Sequence, residues 1–150
     1  MTATKQETID MLTTAYCMEL ETVLNYLANS VNLDGIRAEE IKKSLAADVN
    51  EEILHAQQLG HRIKQLDGRV PGSAAIKLGR QVQPPEDTTD VVGVIKGVIQ
   101  AEEDACHQYK SIIRATEGED YVTQDLCIRL LAEEEAHLVL FRGFLKEYTN

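Results

Sequence analysis

Two Glu-x-x-His motifs stand on long amphipathic segments: Glu52-Ile53-Leu54-His55 and Glu134-Glu135-Ala136-His137. Each is preceded, one segment earlier, by a further glutamate: Glu19 lies 33 residues before Glu52, and Glu102 lies 32 residues before Glu134. Both of these glutamates have a tyrosine seven residues on, Tyr26 and Tyr109. The pattern is one metal-ligand set written twice. Four carboxylates and two imidazoles can hold a pair of iron-sized cations. Carboxylate and imidazole without clustered thiolates favour iron or manganese over a structural zinc site.

A single Glu-x-x-His carries little weight in a Glu-rich chain. Duplication, matched spacing and paired tyrosines carry much more. Tyr26 and Tyr109 read as core residues that also hydrogen-bond near the site, rather than as independent catalysts. His61 and His107 have no matching partner and read as surface or packing residues. Cys127 reads as a small apolar filler.

The ligands need elements that aim them at one point. Strand signals are scarce, and four helical segments account for most residues: about 5–31, 37–67, 87–117 and 119–148. Asp34-Gly35 is a turn signal, and Gly68 is a natural helix stop. Asp87, Thr88 or Thr89 can cap the third segment, and Thr116 with Glu119 has capping-box spacing for the fourth. Two short turns predict two antiparallel hairpins. The long connection of about 68–86, with Pro71, Gly72, Gly79 and Pro84-Pro85, can cross from one hairpin to the other, pinned by Leu78 and Val82. The expected fold is therefore all-α: one antiparallel four-helix bundle domain over residues 1–150 with one long crossover between the second and third helices.

Heptad spacing places the glutamates inside. The seam of the fourth segment reads Cys127, Leu130, Glu134, His137, Phe141, Phe144, Tyr148, and that of the third reads Ile95, Val98, Glu102, Ala105, Tyr109, Ile112. The first gives Leu12, Tyr16, Glu19, Val23, Tyr26, and the second Ile41, Leu45, Asp48, Glu52, His55, Leu59. Asp48 makes the second seam less clean. Glu102 falls on the apolar line, whereas Glu103 falls on a mixed face with Lys96, Ile99, Cys106 and Lys110. Glu21 lies off the line of Glu19. Glu51, Glu133 and Glu135 flank the motifs and are expected to face solvent or a partner subunit. Isolated carboxylates on a buried seam are costly or protonate. Two divalent cations remove that cost, because four negative charges then meet four positive ones.

Composition excludes other classes. A net charge of −10 argues against a nucleic-acid surface and suits cations. No apolar run approaches the ~20 residues of a membrane span. The polar stretch from Met1 to Asp10 lacks the apolar segment of a signal peptide. Cys17, Cys106 and Cys127 are odd in number and lack CxxC spacing, which reads as reduced thiols in a cytoplasmic chain.

At this point the chain resembles the ferritin-like di-iron carboxylate family, and within it the bacterioferritins. The resemblance spans nearly the whole length. It is carried by Glu19-Leu20 through Asn25-Tyr26, by Asn50 to Gln57, and by Asp120-Tyr121-Val122 through Glu133-Glu134-Glu135-Ala136-His137. It implies a di-iron cofactor held by Glu19, Glu52, His55, Glu102, Glu134 and His137, with Glu52 and Glu134 as the bridging pair and manganese or zinc as possible substitutes. It also implies ferroxidase activity, in which dioxygen or hydrogen peroxide oxidises Fe(II) for iron storage or detoxification. The expected assembly is a homo-oligomer, at least a dimer.

Three departures qualify the resemblance. Ile53 stands where bacterioferritin has a haem-ligating Met, so no haem is expected. The sequence stops at Asn150 without the short fifth helix of the cage-forming members, which weakens the expectation of a 24-subunit shell. The spacing between the third and fourth helices is one residue shorter than usual, which predicts a trimmed turn near Gly118. Alternatives are a rubrerythrin-like peroxidase, although Ala105 replaces that family's second glutamate, a manganese catalase-like enzyme, or a non-catalytic metal-binding bundle.

Overall fold

The computed structural model describes residues 3–149; Met1, Thr2 and Asn150, the ends of the expected 1–150 domain, lie outside the described residues. Four long helices dominate: α1 (Lys5–Asn32), α2 (Glu39–Gln65), α3 (Val91–Ala115) and α4 (Tyr121–Tyr148). Among the described residues there is no strand, and short 3-10 turns at Ile36–Ala38 and Ser73–Ala75 complete the order. The chain packs α1 along α2 and α3 along α4, with α1 also meeting α3 and α2 meeting α4. This is the four-helix bundle with one long crossover that the turn lengths predicted.

Local chemistry sets each boundary. Thr4 and Glu7 form a reciprocal capping box at the start of α1, with bonds of 3.1 and 3.0 Å. The α1–α2 turn passes through Gly35 at φ +99°, a conformation that favours glycine. At the end of α2, Asp67 takes the left-handed conformation (φ 65°), and the Asp67 and Gly68 amides return to the carbonyls of Lys64 and Ile63. Gly68 therefore sits one residue beyond the turn. Its missing side chain is still needed, because a Cβ there would lie 2.9 Å from both Ile63 and Ile9.

Two caps differ from the sequence reading. The α3 cap is Asp90, whose carboxylate accepts from the Gly93 amide at 3.0 Å; Asp87 instead binds the Thr89 amide in the preceding turn. The α4 cap is Asp120, which accepts from the Thr123 amide at 3.0 Å and receives the Arg62 guanidinium at 2.8 Å. Thr116, expected to cap α4, ends α3 instead, its hydroxyl donating back to the Ile112 carbonyl at 2.8 Å.

The crossover lies as a strap over α1 and α3. Buried Glu21 accepts from the backbone amides of Gly79 and Gln81, and Asn29 donates to the Val82 carbonyl at 3.0 Å. Val82 is buried as expected, but Leu78 is 54% exposed and pins nothing. Glu21, off the seam of Glu19, is buried by this strap rather than by the bundle. Val82 fits where α3 has Gly97: a Cβ at Gly97 would stand 2.7 Å from Val82 Cγ2. Gly97→Ala is therefore expected to lower the melting temperature by a few degrees, although alanine favours helix by about 1 kcal/mol. Adding Val82→Ala should restore most of the loss. A rise in melting temperature for the single variant would show that the strap yields freely.

The apolar core is divided. One cluster holds Ile9, Leu12, Leu59, Ile63, Ile112 and Leu130; the other holds Leu33, Ile41, Leu45, Val94, Ile95, Val98 and Phe141. On every helix the polar seam residues fall between the two. Among the described residues no helix is long and apolar enough to cross a membrane.

Candidate metal centre

All six residues singled out in the sequence meet in the layer between the two apolar clusters. Glu19, Glu52, His55, Glu102 and Glu134 are at most 2% exposed, and His137 is 8% exposed. They form two overlapping groups, each with its potential ligand atoms within 4.8 Å of one another. One group is Glu19, Glu52, His55 and Glu134; the other is Glu52, Glu102, Glu134 and His137. Glu52 and Glu134 belong to both. Register places these residues: each helix contributes one glutamate from its buried line, and the i+3 position of α2 and of α4 adds an imidazole beside it.

The imidazoles are oriented from behind. The Nε2 edge of His55, on α2, contacts Glu133 of α4, and the Nε2 edge of His137, on α4, contacts Glu51 of α2. Each Nδ1 then faces the centre. His55 Nδ1 lies 2.9 Å from Glu134 and 3.4 Å from both Glu19 and Glu52; His137 Nδ1 lies 3.4 Å from Glu52 and 3.7 Å from Glu102. Neither Nδ1 makes an aligned hydrogen bond. A carboxylate on Nε2 fixes the tautomer and leaves the Nδ1 lone pair for a cation.

Glu51 and Glu133 correct the expectation that they face solvent or a partner. They remain half-exposed, but each reaches across the α2–α4 groove to the other helix's histidine. The sequence carried this signal: the repeated unit is Glu-Glu-x-x-His, with Glu51 and Glu133 each directly preceding the seam glutamate. Glu135 is exposed, as are His61 and His107.

The tyrosines cross in the same manner. Tyr26 of α1 donates to Glu102 of α3 at 2.6 Å, and Tyr109 of α3 donates to Glu19 of α1 at 2.6 Å. Burial, with the carboxylates around them, raises both phenols well above their ordinary pKa, so they stay protonated and donate. Glu103 stands outside the centre, paired with Arg142 at 3.1 Å.

The electrostatics are those of a negative pocket. Burial, then contact with Glu102 and Glu52, pushes Glu134 well above the usual carboxylate range. Burial also pushes Glu52 upward, but His137 and His55 outweigh it and hold Glu52 low. Burial disfavours the charged form of His137, yet Glu102, Glu52 and Asp48 push it up to about 12. His55 moves the same way, burial being outweighed by Glu52 and Glu133. Burial pushes Asp48 up to about 7 against the pull of His137. Cys17, Cys106 and Cys127 are buried free thiols. Burial and nearby acids raise Cys106 to about 11, and burial raises Cys127 to about 12.

The donor set fits cations on its own terms. Among the described residues, seven buried atoms of the six side chains have no hydrogen-bond partner: Glu19 Oε2, both Glu52 oxygens, His55 Nδ1, Glu102 Oε2, Glu134 Oε1 and His137 Nδ1. Buried polar atoms are ordinarily satisfied, and seven orphans around one point mark a place for a positive partner.

The fold and the centre define a class, and comparison with known proteins agrees. The chain belongs to the ferritin-like family, whose ferritin-like domain profile matches residues 9–149. Bacterioferritin from Desulfovibrio desulfuricans is 29% identical over 148 residues, covering 97% of this chain and 78% of that protein. A DNA protection during starvation protein from Pyrococcus furiosus is 28% identical over 144 residues, covering 93% of this chain and 77% of its own length. A solved structure of the Desulfovibrio bacterioferritin, described with a diiron site, superposes with a TM-score of 0.85 at 24% identity, covering 97% of this chain and 82% of that one. At that identity the structural likeness shows the fold alone.

Proposed function

We propose that the protein is a di-iron ferroxidase, oxidising Fe(II) with dioxygen or hydrogen peroxide for iron storage or detoxification. The observation that carries this reading is the pair of overlapping four-residue groups with their seven unpartnered atoms. Glu19 and His55 would hold one Fe(II), Glu102 and His137 the other, and Glu52 with Glu134 would serve both. When two Fe(II) are bound, each supplies one electron. Two electrons and two protons convert dioxygen to hydrogen peroxide, or hydrogen peroxide to two waters.

The chain's own groups prepare the site for that exchange. Glu133 and Glu51 hold the imidazole Nε2 protons outward. Tyr26 and Tyr109 fix the swing of Glu102 and Glu19. The two apolar clusters flank the layer at both ends. The assembly we infer is a homo-oligomer. Leu24, Leu27 and Val31 form an exposed apolar stripe on α1, and Ile53 and Leu54 of α2 are also exposed. A structural neighbour from Bacteroides fragilis, 22% identical with a TM-score of 0.82 over 97% of this chain and 88% of that one, is described as a dodecameric thioferritin.

Anaerobic loading with Fe(II), followed by air, tests the activity. The wild type is expected to show a fast oxidation phase of two Fe per chain. Glu102→Gln should slow it by orders of magnitude, whereas Glu103→Gln, on the Arg142 face, should barely change it. The reverse pattern would assign α3's contribution to the wrong glutamate.

A further inference from the structure

The crossover strap is fastened to the bundle by polar groups. Of residues 69–83 only Val82 is buried. The strap's two amide bonds to the bundle both end on one side chain: Gly79 and Gln81 donate to the Glu21 carboxylate of α1. The remaining ties are polar as well. Asn29 donates to the Val82 carbonyl at 3.0 Å, the Thr22 hydroxyl reaches Gln81 at 3.4 Å, and Gln83 reaches Asn25 at 3.4 Å. Asn25 Nδ2 and Asn29 Oδ1 are buried without a hydrogen-bond partner among the described residues. A segment with few buried apolar contacts and exposed backbone opens at a lower free energy than the packed helices around it.

The flanks of the strap are held separately from its middle. At the α2 end, the Gly68 amide donates to the Ile63 carbonyl at 2.9 Å, and Asp67 pairs with Lys5 at 3.0 Å. Toward α3, the Thr88 carbonyl accepts from the Asp34 amide at 2.9 Å, and its hydroxyl donates to the Asp34 carboxylate at 2.6 Å. The Glu21 latch lies between these anchors. Two features lie under the latched segment. Val82 packs in the same apolar cluster as Tyr26, the residue that donates to Glu102. A cavity of about 510 Å³ separates the strap from α1, with Cys17 and Glu21 on one wall and Lys77, Gly79 and Gln81 on the other. Cys17 is 8% exposed with the strap in place.

We propose that the strap is a lid: it lifts between its anchored flanks by breaking the Glu21 latch, while the four helices stay packed. Opening withdraws Val82 and uncovers the Tyr26–Glu102 side of the centre, together with the Cys17 thiol. The bundle survives the opening because water takes over the freed Gly79 and Gln81 amides and the Glu21 carboxylate, so no polar group is left buried and unpaired. The lid gives small molecules an approach from the α1–α3 side that parts neither hairpin. Its effect on metal rests on the di-metal reading of the centre; its opening does not.

Hydrogen exchange followed by mass spectrometry, with maleimide labelling of the native cysteines, tests the opening on the intact metal-free protein. In the wild type, residues 77–83 are expected to exchange well before the buried stretches of α2 and α4, and Cys17 to label before Cys106 and Cys127. Glu21→Gln keeps the size but removes the charge that strengthens both amide bonds; it should speed strap exchange and Cys17 labelling about tenfold, with α2 and α4 unchanged. Val82→Ala, which keeps the latch and weakens the plug, should act in the same direction and serves if Glu21→Gln folds poorly. A strap that exchanges in step with α2 and α4, or variants that leave the strap unchanged or speed every helix equally, would overturn the lid. Loss of bound Mn(II) to a chelator should also quicken several-fold in Glu21→Gln. Unchanged Mn(II) loss from a strap that opens faster would overturn the uncovering of the centre. A wild type that binds no Mn(II) would overturn the di-metal reading, and the exchange data would still decide the lid.

Discussion

Glu134→Ala is expected to empty both metal positions, whereas Glu19→Ala should empty only one. The difference follows from geometry: Glu134 belongs to both four-residue groups and Glu19 to one. Loss of a carboxylate that serves both cations removes negative charge from each and leaves His55 Nδ1 and His137 Nδ1 with fewer anionic neighbours. Even changes behind the ligands commonly cost 10–100-fold in metal affinity, on the order of 1.4–2.7 kcal/mol, and loss of a direct shared ligand should exceed that. Metal analysis after dialysis against a weak chelator gives the answer. His137→Ala should behave like Glu19→Ala, with the loss on the opposite half. Two tightly held ions in Glu134→Ala would refute the assignment of the centre.

The second large effect appears without metal. Glu134→Leu is expected to raise the melting temperature of the chelator-treated protein near neutral pH, by about 5 °C, while abolishing iron oxidation. Glu134 is the carboxylate that burial, Glu102 and Glu52 push upward, so in the metal-free fold it opposes its own ionisation. Glu52 is different: His137 and His55 hold it low, so its contacts favour the fold and it is the poorer target. Replacing buried charge by a well-packed apolar side chain is commonly stabilising by about 1–4 kcal/mol, and about 2–4 °C accompanies each kcal/mol at this chain length.

The pH dependence follows from the same shifts. A carboxyl raised on folding contributes stability that is full below its unfolded pKa of about 4 and is lost as pH climbs through the folded value. For Asp48 that window runs from 3.8 to about 7; Glu134 acts in the same direction. His55 and His137 are also raised, so their contribution holds below about 6.5 and fades at higher pH. Within the centre Glu52 acts oppositely: its contribution is complete above the unfolded value of 4.5 and is lost as pH falls below it. The metal-free wild type should therefore weaken from pH 4 to 7, and the advantage of Glu134→Leu should shrink toward pH 4. Bound metal reverses the slope, because cations bind the ionised ligands. A large fall in melting temperature for Glu134→Leu at neutral pH would mean that Glu134 supports the bundle through protein contacts.

Much of this was legible in the sequence because a helix converts spacing directly into direction. The seam lines of α2 and α3 are buried at every position read from the heptads, and the six chemical residues meet at one point. The line on α1 was less well read. Tyr16 and Val23 are only half-buried, whereas Ala15 and Thr22 are buried. That helix has a second covered face, created by the crossover strap, and a strap of irregular backbone leaves no periodic trace. The cap of α3 was misplaced because Asp87, Thr88, Thr89 and Asp90 all offer a capping oxygen, and only the chain's path selects Asp90. The pairings of Glu51 with His137 and Glu133 with His55 were missed for a related reason. Periodicity says which face a residue occupies, but not which side chain waits across the groove.

The crossed tyrosine bonds carry a consequence for how the molecule assembles. Tyr26–Glu102 and Tyr109–Glu19 both join the α1–α2 hairpin to the α3–α4 hairpin, as do both histidine–glutamate contacts. Each hairpin can form early, since its contacts are close in sequence and loop closure is inexpensive. Neither hairpin alone contains either four-residue group, because Glu134 completes the first and Glu52 the second. Metal binding at the centre is thus expected to report hairpin docking rather than hairpin formation, because a half-molecule holds neither four-residue group complete. On the reading proposed above, the wiring would act as a proofreading step: the two groups are complete only when the two halves have found each other in register.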